Sequence, residues 1–265
     1  MNLRIASHLL TCGVVAAASG LAQAPPAFEV ASIKPNHSAA RNSGFRRASP
    51  GSLNATNVTL KMLISYAYDV RDYQISGGAG WIDAERYDIL AKPEPGEGTH
   101  PATEMERNAM LRRRVQTLLA DRFQLVLRRS TKELPTFTLF LAKNGPKGLT
   151  AGTGEKSELV DNGHHLTCRE ITMASFCKIF LQSYLRRWVV DKTGITGAFD
   201  FTLDWVPEEG QRRLPEGEPA AAAPASPDGP SFFTALQEQL GLKLEPGKGP
   251  VEVLMIESAE KPSEN

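Results

Sequence analysis

A series of short elements recurs along this chain at a near-constant offset of 112 to 117 residues, and that repetition constrains the fold more than anything else in the sequence. In the first half, residues 51–56 read as a short strand. Thr59 is placed to cap a helix on which Leu60, Leu63, Ile64 and Ala67 share one face. A short strand at Gln74 and Ile75, a glycine-rich turn at 77–80 and an alternating strand at 86–92 follow. The second half repeats this order. Residues 165–168 form the strand, Thr172 the cap, and Met173, Phe176, Phe180 and Leu181 the helix face. Residues 188–190 form the short strand, 194–197 the turn and 198–205 the closing strand.

The later part of each half also matches. Residues 119–127 end a helix and enter a strand, and residues 236–244 do the same. Each then turns at a proline, Pro135 or Pro250, into a final strand. The expected fold class is therefore α+β. Two similar β-α-β-β-α-β-β halves should pack a mixed or antiparallel sheet against helices. An ancestral duplication accounts for the constant offset.

The boundaries follow from composition. Residues 1–24 read as a signal peptide: Arg4 supplies a positive start, residues 5–18 are mostly apolar, and Gly20-Leu21-Ala22 fits cleavage before Gln23. The first half is then 25–150 and the second 151–265. Residues 207–228, with Pro219, Pro224, Pro227 and an alanine run, read as a flexible loop. Such a chain is expected to be periplasmic or secreted, without stable membrane insertion once the signal is removed. Export leaves Cys168 and Cys177 as the mature cysteines, and an even number in an oxidising compartment predicts a disulfide between them.

Charge narrows the partners. Thirty basic residues balance thirty acidic ones, which argues against a broad nucleic-acid footprint. Short motifs for catalysis are present but misplaced. Ser175-x-x-Lys178 and Lys192-Thr193-Gly194 occur in penicillin-recognising serine enzymes, but here they lie too close together, and Thr193-Gly194 suits a turn. Asp161, His164, His165, Cys168 and Cys177 form one dense set of potential metal ligands. They lack zinc-site spacing, so His164 and His165 stand only as minor candidates. Gly77, Gly78 and Gly80 suit a tight turn against Trp81 better than a phosphate cradle. Asp83, Glu85, Asp88, Asp191, Asp200 and Asp204 include potential carboxylate pairs, but Asp88 and Asp200 hold equivalent repeat positions, which favours a structural duty. Arg112, Arg113 and Arg114 read as a solvated helix face. No catalytic or cofactor-binding residue and no cofactor is assigned.

Several stretches together resemble a known family. They are the Phe-Glu-Val-Ala-Ser-Ile-Lys-Pro-Asn opening at 28–36, then Gly77-Gly78, Trp81 and Tyr87-Asp88-Ile89, then Asp121-Arg122-Phe123. The run at 191–197, Phe199-Asp200-Phe201, Gly229-Pro230-Ser231 and the ending at 260–265 continue it. The chain resembles a soil-associated, paralogue-rich family of secreted proteins of unknown function. The resemblance implies export and supplies no activity. Related domains are attached to membrane metallopeptidases of the antibiotic-sensing receptor type, which implies an extracytoplasmic sensing or binding role. The short β-α-β units are also similar in architecture to the small N-terminal domains of secretins and TonB-dependent receptors. The expected function is noncatalytic binding, interaction or sensing outside the cytoplasm, with an envelope protein or small envelope ligand as partner. An extracytoplasmic hydrolase with a dispersed site is the alternative, and a passive envelope component a third possibility.

Overall fold

A computed structural model describes residues 25–38, 42–46, 49–95, 103–154, 156–206 and 229–263. The expected signal segment and the expected loop at 207–228 lie outside the described residues. Among the described residues no helix is long and apolar enough to cross a membrane.

The first half opens with β1 (Val30–Pro35), β2 (Gly44–Phe45) and β3 (Leu53–Thr59). The Thr59 side chain accepts a hydrogen bond from the Met62 N–H and so starts α1 (Leu60–Tyr68), which buries Leu60, Leu63, Ile64 and Ala67 as their spacing predicts. A 3-10 turn (Asp72–Gln74) leads into β4 (Ile75–Gly77), the single helical turn α2 (Trp81–Ala84) and β5 (Arg86–Lys92). The expected turn at 77–80 runs directly into α2. A capping box between Thr103 and Glu106 starts α3 (Glu104–Phe123), which hands over to β6 (Val126–Leu141).

The second half runs through β7 (Thr150–Ala151), β8 (Glu158–Asp161) and β9 (His165–Thr172). Thr172 then caps α4 (Met173–Ser175), which widens into a π-helical stretch (Phe176–Leu181) and closes as α5 (Gln182–Leu185). β10 (Trp188–Lys192), β11 (Ala198–Asp204), α6 (Phe232–Gln239) and β12 (Leu242–Ser258) complete it.

These strands form three four-stranded sheets, ordered β1-β5-β3-β2, β7-β11-β9-β8 and β10-β6-β12-β4. Adding six to each label turns the first order into the second. Exchanging the halves in the same way turns the third into its own reverse. The correspondence extends to backbone geometry: the left-handed residues Asn57, Asp69 and Gln124 recur as Glu170, Arg186 and Gly241. The offset is 113 residues at the Thr59 and Thr172 caps and 117 at Asp69 and Arg186, so the extra residues lie in the second helix. That is where the π-helical stretch occurs.

The central sheet joins the halves by exchange. β6 and β12 pair antiparallel along almost their whole length. β4, from the first half, lies parallel to the end of β12, while β10, from the second, lies parallel to the end of β6. Each apolar core therefore takes side chains from the other half. Leu254 and Ile256 of β12 sit in the first core with Leu63, Tyr87 and Phe123. Leu139 of β6 sits in the second with Phe176, Leu203 and Phe232.

Both strands also run straight through the prolines at which turns were expected. Pro135 pairs with Lys248, and Pro250 with Glu133. On their other flanks β10 begins pairing only at Thr136 and β4 only at Leu254. Each proline thus faces outward without a neighbouring strand to require its missing N–H, as on an edge strand.

The predicted disulfide is not formed. Cys168 and Cys177 are separate, buried thiols within the second core, packed as small apolar groups. Burial pushes both up to about 12, helped at Cys177 by the charge of Asp191. A thiol reagent at mildly alkaline pH is expected to react with both only after unfolding, and at least about a hundredfold more slowly in the native protein. Absence of both thiols even in denaturant would restore the disulfide.

Candidate functional site

The residues singled out for chemistry are mostly engaged in holding the fold. Ser175 accepts from the Thr172 hydroxyl within the helix cap, while Lys178 reaches across to Asp69. Thr193 closes a turn, donating to Asp191 and accepting from the Ile195 N–H. The ring of His165 spends both nitrogens, Nδ1 on Asp204 at 2.6 Å and Nε2 on Thr167 at 3.1 Å. That leaves it no lone pair for a metal. His164 contributes its backbone carbonyl to Trp205. No group of three or more potential metal ligands exists among the described residues.

The carboxylates are similarly committed. Asp83 pairs with Lys61, Glu85 with Lys261, and Asp204 with His165. Asp88 accepts the Asn57 N–H and the Asn36 side chain, both at 2.8 Å, and Asp200 accepts the Glu170 N–H at 2.7 Å. Asn57 and Glu170 are the left-handed residues at equivalent irregularities in the two outer sheets. The two aspartates therefore share one structural duty, as their repeat positions predict. Gly77 and Gly78 serve close packing: both have positive φ, and a Cβ on Gly77 would lie 3.0 Å from the Ile256 carbonyl oxygen.

What the sequence did not single out is a cleft of about 800 Å³ between the halves. One wall begins where α1 ends. Asp69 adopts a left-handed conformation and stops the helix, and Ser65 donates to the Val70 carbonyl. Gln74, almost fully buried, then ties the segment down. It accepts from the Arg71 N–H and donates to the Glu252 carbonyl of β12, each at 3.0 Å. The facing wall is the π-helical stretch with Lys178, then Gln182 and Trp188. Arg112 of α3, Arg129 of β6 and Glu252 of β12 complete the polar lining.

The walls are held together by charge. Asp69 accepts from Arg112 of its own half at 3.1 Å and from Lys178 of the other at 3.0 Å. The Arg71 guanidinium donates to the Lys178 carbonyl at 2.9 Å and more weakly to that of Ile179. Arg129 pairs with Glu252. Of the three arginines read as a solvated face, only Arg113 is exposed; Arg112 enters the cleft and Arg114 is buried.

Tyrosines accompany the cations. Tyr66 stacks on Phe45 with ring centroids 4.4 Å apart. Burial pushes the Tyr66 and Tyr68 hydroxyls above their ordinary values, against the opposing charges of Arg112 and Arg129. Both stay protonated at neutral pH and can donate hydrogen bonds. Among the described residues no histidine or cysteine lines the cleft, and its Ser65 hydroxyl is spent on backbone. The arrangement suits recognition of a polar molecule beside aromatic surface.

Partial burial pushes the Asp69 carboxyl up, but hydrogen bonds and charge from Lys178 and Arg112 outweigh it and hold it below its ordinary 3.8. Because the folded value is depressed, the stability it contributes is present above 3.8 and lost as pH falls further through the folded value. These pairs are half exposed, so Asp69→Asn is expected to cost at most about 1 kcal/mol at neutral pH. The difference from the unchanged protein should vanish in acid, as denaturant titrations at the two pH values will show.

A family model described as a protein of unknown function, DUF3738, matches residues 61–259. No curated protein and no solved structure matches the chain. The match covers the second half and the first half from α1 onward, leaving out β1 to β3 with their share of the first core, and it takes in every cleft-lining residue apart from Phe45. The chain therefore belongs to the DUF3738 family of proteins of unknown function.

Proposed function

We propose that this protein works by binding rather than by catalysis, outside the cytoplasm, and that its ligand occupies the cleft between the halves. One observation carries the reading: residues from both halves converge on a volume of about 800 Å³ lined by arginines, tyrosines and a tryptophan, with no nucleophile–base pair among the described residues. Clefts of that size hold small organic ligands, and these residue types dominate binding energies. The apolar, signal-like residues 1–24 support export into the periplasm or medium. So does the resemblance to secreted proteins of soil bacteria. A small envelope ligand fits the cleft better than a protein partner, because the lining is concave.

The test exposes the protein to the small-molecule fraction of its host's envelope and follows its melting temperature. A rise is expected for the unchanged protein and not for Arg129→Ala combined with Trp188→Ala. An equal rise in both would move the site elsewhere. The captured compound should be recovered with unchanged mass; a hydrolysed product would replace binding by the hydrolase reading.

A further inference from the structure

This inference rests on the binding reading and names the ligand's chemistry. Among the described residues the cleft holds four cationic side chains, Arg71, Arg112, Arg129 and Lys178, against the carboxylates of Asp69, Asp72 and Glu252. Asp69 is shared by two cations, and Glu252 takes one. Donors exceed acceptors more sharply than charge suggests. A guanidinium has five N–H groups and an ammonium three. Yet among the described residues Arg112 gives one hydrogen bond and Lys178 one, both to Asp69. Both side chains are partly open to solvent, so the unused N–H groups are accessible.

Asp69 itself demonstrates how an oxygen anion is held here. One carboxylate oxygen meets Arg112 and the other Lys178, so a single anion bridges the two halves. A second carboxylate or phosphate beside it would complete the coordination of the same two cations with charge-assisted bonds. Tyr66, Tyr68 and Trp188 line the same space and offer flat apolar surface for the rest of the molecule. Three ingredients thus meet at one place: surplus donors, a bridging anion position and aromatic walls.

We propose that the cleft binds a small organic anion, a carboxylate or phosphate ester attached to a ring, with its charged group on Arg112 and Lys178. The ring lies against Tyr66 or Trp188. The interaction is direct: the ligand adds a link between halves already joined through Asp69, so binding tightens the inter-half junction.

Five simple probes test this by amide and indole NMR at millimolar concentration: benzoate, phenyl phosphate, acetate, benzyl alcohol and benzylamine. Benzoate or phenyl phosphate is expected to shift resonances of Asp69, Arg71, Lys178 and the Trp188 indole. Whichever of the two binds more tightly identifies the carboxylate or the phosphate as the group taken. Acetate and benzyl alcohol should bind at least about tenfold more weakly, each lacking one of the two contacts. Arg112→Gln and Lys178→Gln should each weaken the preferred anion about tenfold, the effect of losing one charge-assisted bond. Arg112→Lys, which keeps the charge, should fall between, and native amide dispersion in every variant will show that folding is retained. Preference for benzylamine at the same residues would overturn the anion while leaving the cleft as the site. If no probe shifts a lining resonance, the ligand class proposed here is overturned. The envelope-fraction experiment then decides separately whether the cleft binds anything.

Discussion

Divided after Asn144, in the connection that follows β6, the chain is expected to yield two fragments that are each unfolded alone and that fold when mixed. The first fragment would hold β1 to β6 and lack Leu254 and Ile256, which close its core. Its β4 would lose its partner, since among the described residues that strand pairs only with β12. The second fragment would lose Leu139 from its core and the strand on which β10 lies. Both would expose one long strand of the central pair along its whole length, which is an aggregation hazard as well as a loss of stability. Losing one or two large core side chains removes about 2–10 kcal/mol, and together with the lost strand pairing this is comparable to the roughly 5–15 kcal/mol by which ordinary domains are stable. Circular dichroism of each fragment, then of the equimolar mixture, checks this. A cooperative melt from either fragment alone would show that a half can close its own core.

The second large effect is expected at Asp88. Removing its carboxylate with Asp88→Ala leaves the Asn57 N–H and the Asn36 amide without their acceptor. Asn57 is buried at 2% exposure and sits in a left-handed conformation that the hydrogen bond helps to hold. A buried donor left unsatisfied costs about 1–3 kcal/mol, so a loss of about 2–4 kcal/mol is expected from the pair. Asp88→Asn keeps an oxygen in the same place and should cost less than half as much. Asp200→Ala, where among the described residues the carboxylate accepts only the Glu170 N–H, should fall between these two. Urea unfolding of the three variants gives the order. Equal losses for Asp88→Ala and Asp88→Asn would mean that the charge, and not the acceptor position, matters.

Much of this fold was legible because its signals are local. The Thr59 and Thr172 caps, the buried face of α1 and the alternating pattern of β5 all depend on residues a few positions apart. The equivalence of Asp88 and Asp200 was legible for a different reason, the near-constant offset between the two halves. The straight passage of β6 and β12 through Pro135 and Pro250 was not legible, because a proline marks a turn unless the flank it faces is known to be empty. Neither was the π-helical stretch, whose widened turn keeps an ordinary apolar spacing at Phe176, Phe180 and Leu181. The paired cysteines suggested a bridge by count alone, whereas packing decides that each is separate. The cleft was hidden most thoroughly. Asp69, Arg112, Lys178 and Glu252 are far apart in the chain and share no motif, and they meet only because the halves exchange strands.

That exchange also sets the order in which the molecule can be completed. The final strand supplies the apolar side chains that seal the earliest-made core, so the beginning of the chain must wait for its end. A ribosome that has produced every residue up to α6 has still not released the means to lock the first sheet in place. Contacts spanning such distances form slowly, and until they do the chain stays threadable. A polypeptide that cannot tighten until its last strand arrives leaves its first core open longest, and in that interval the core is most exposed to misfolding and proteolysis.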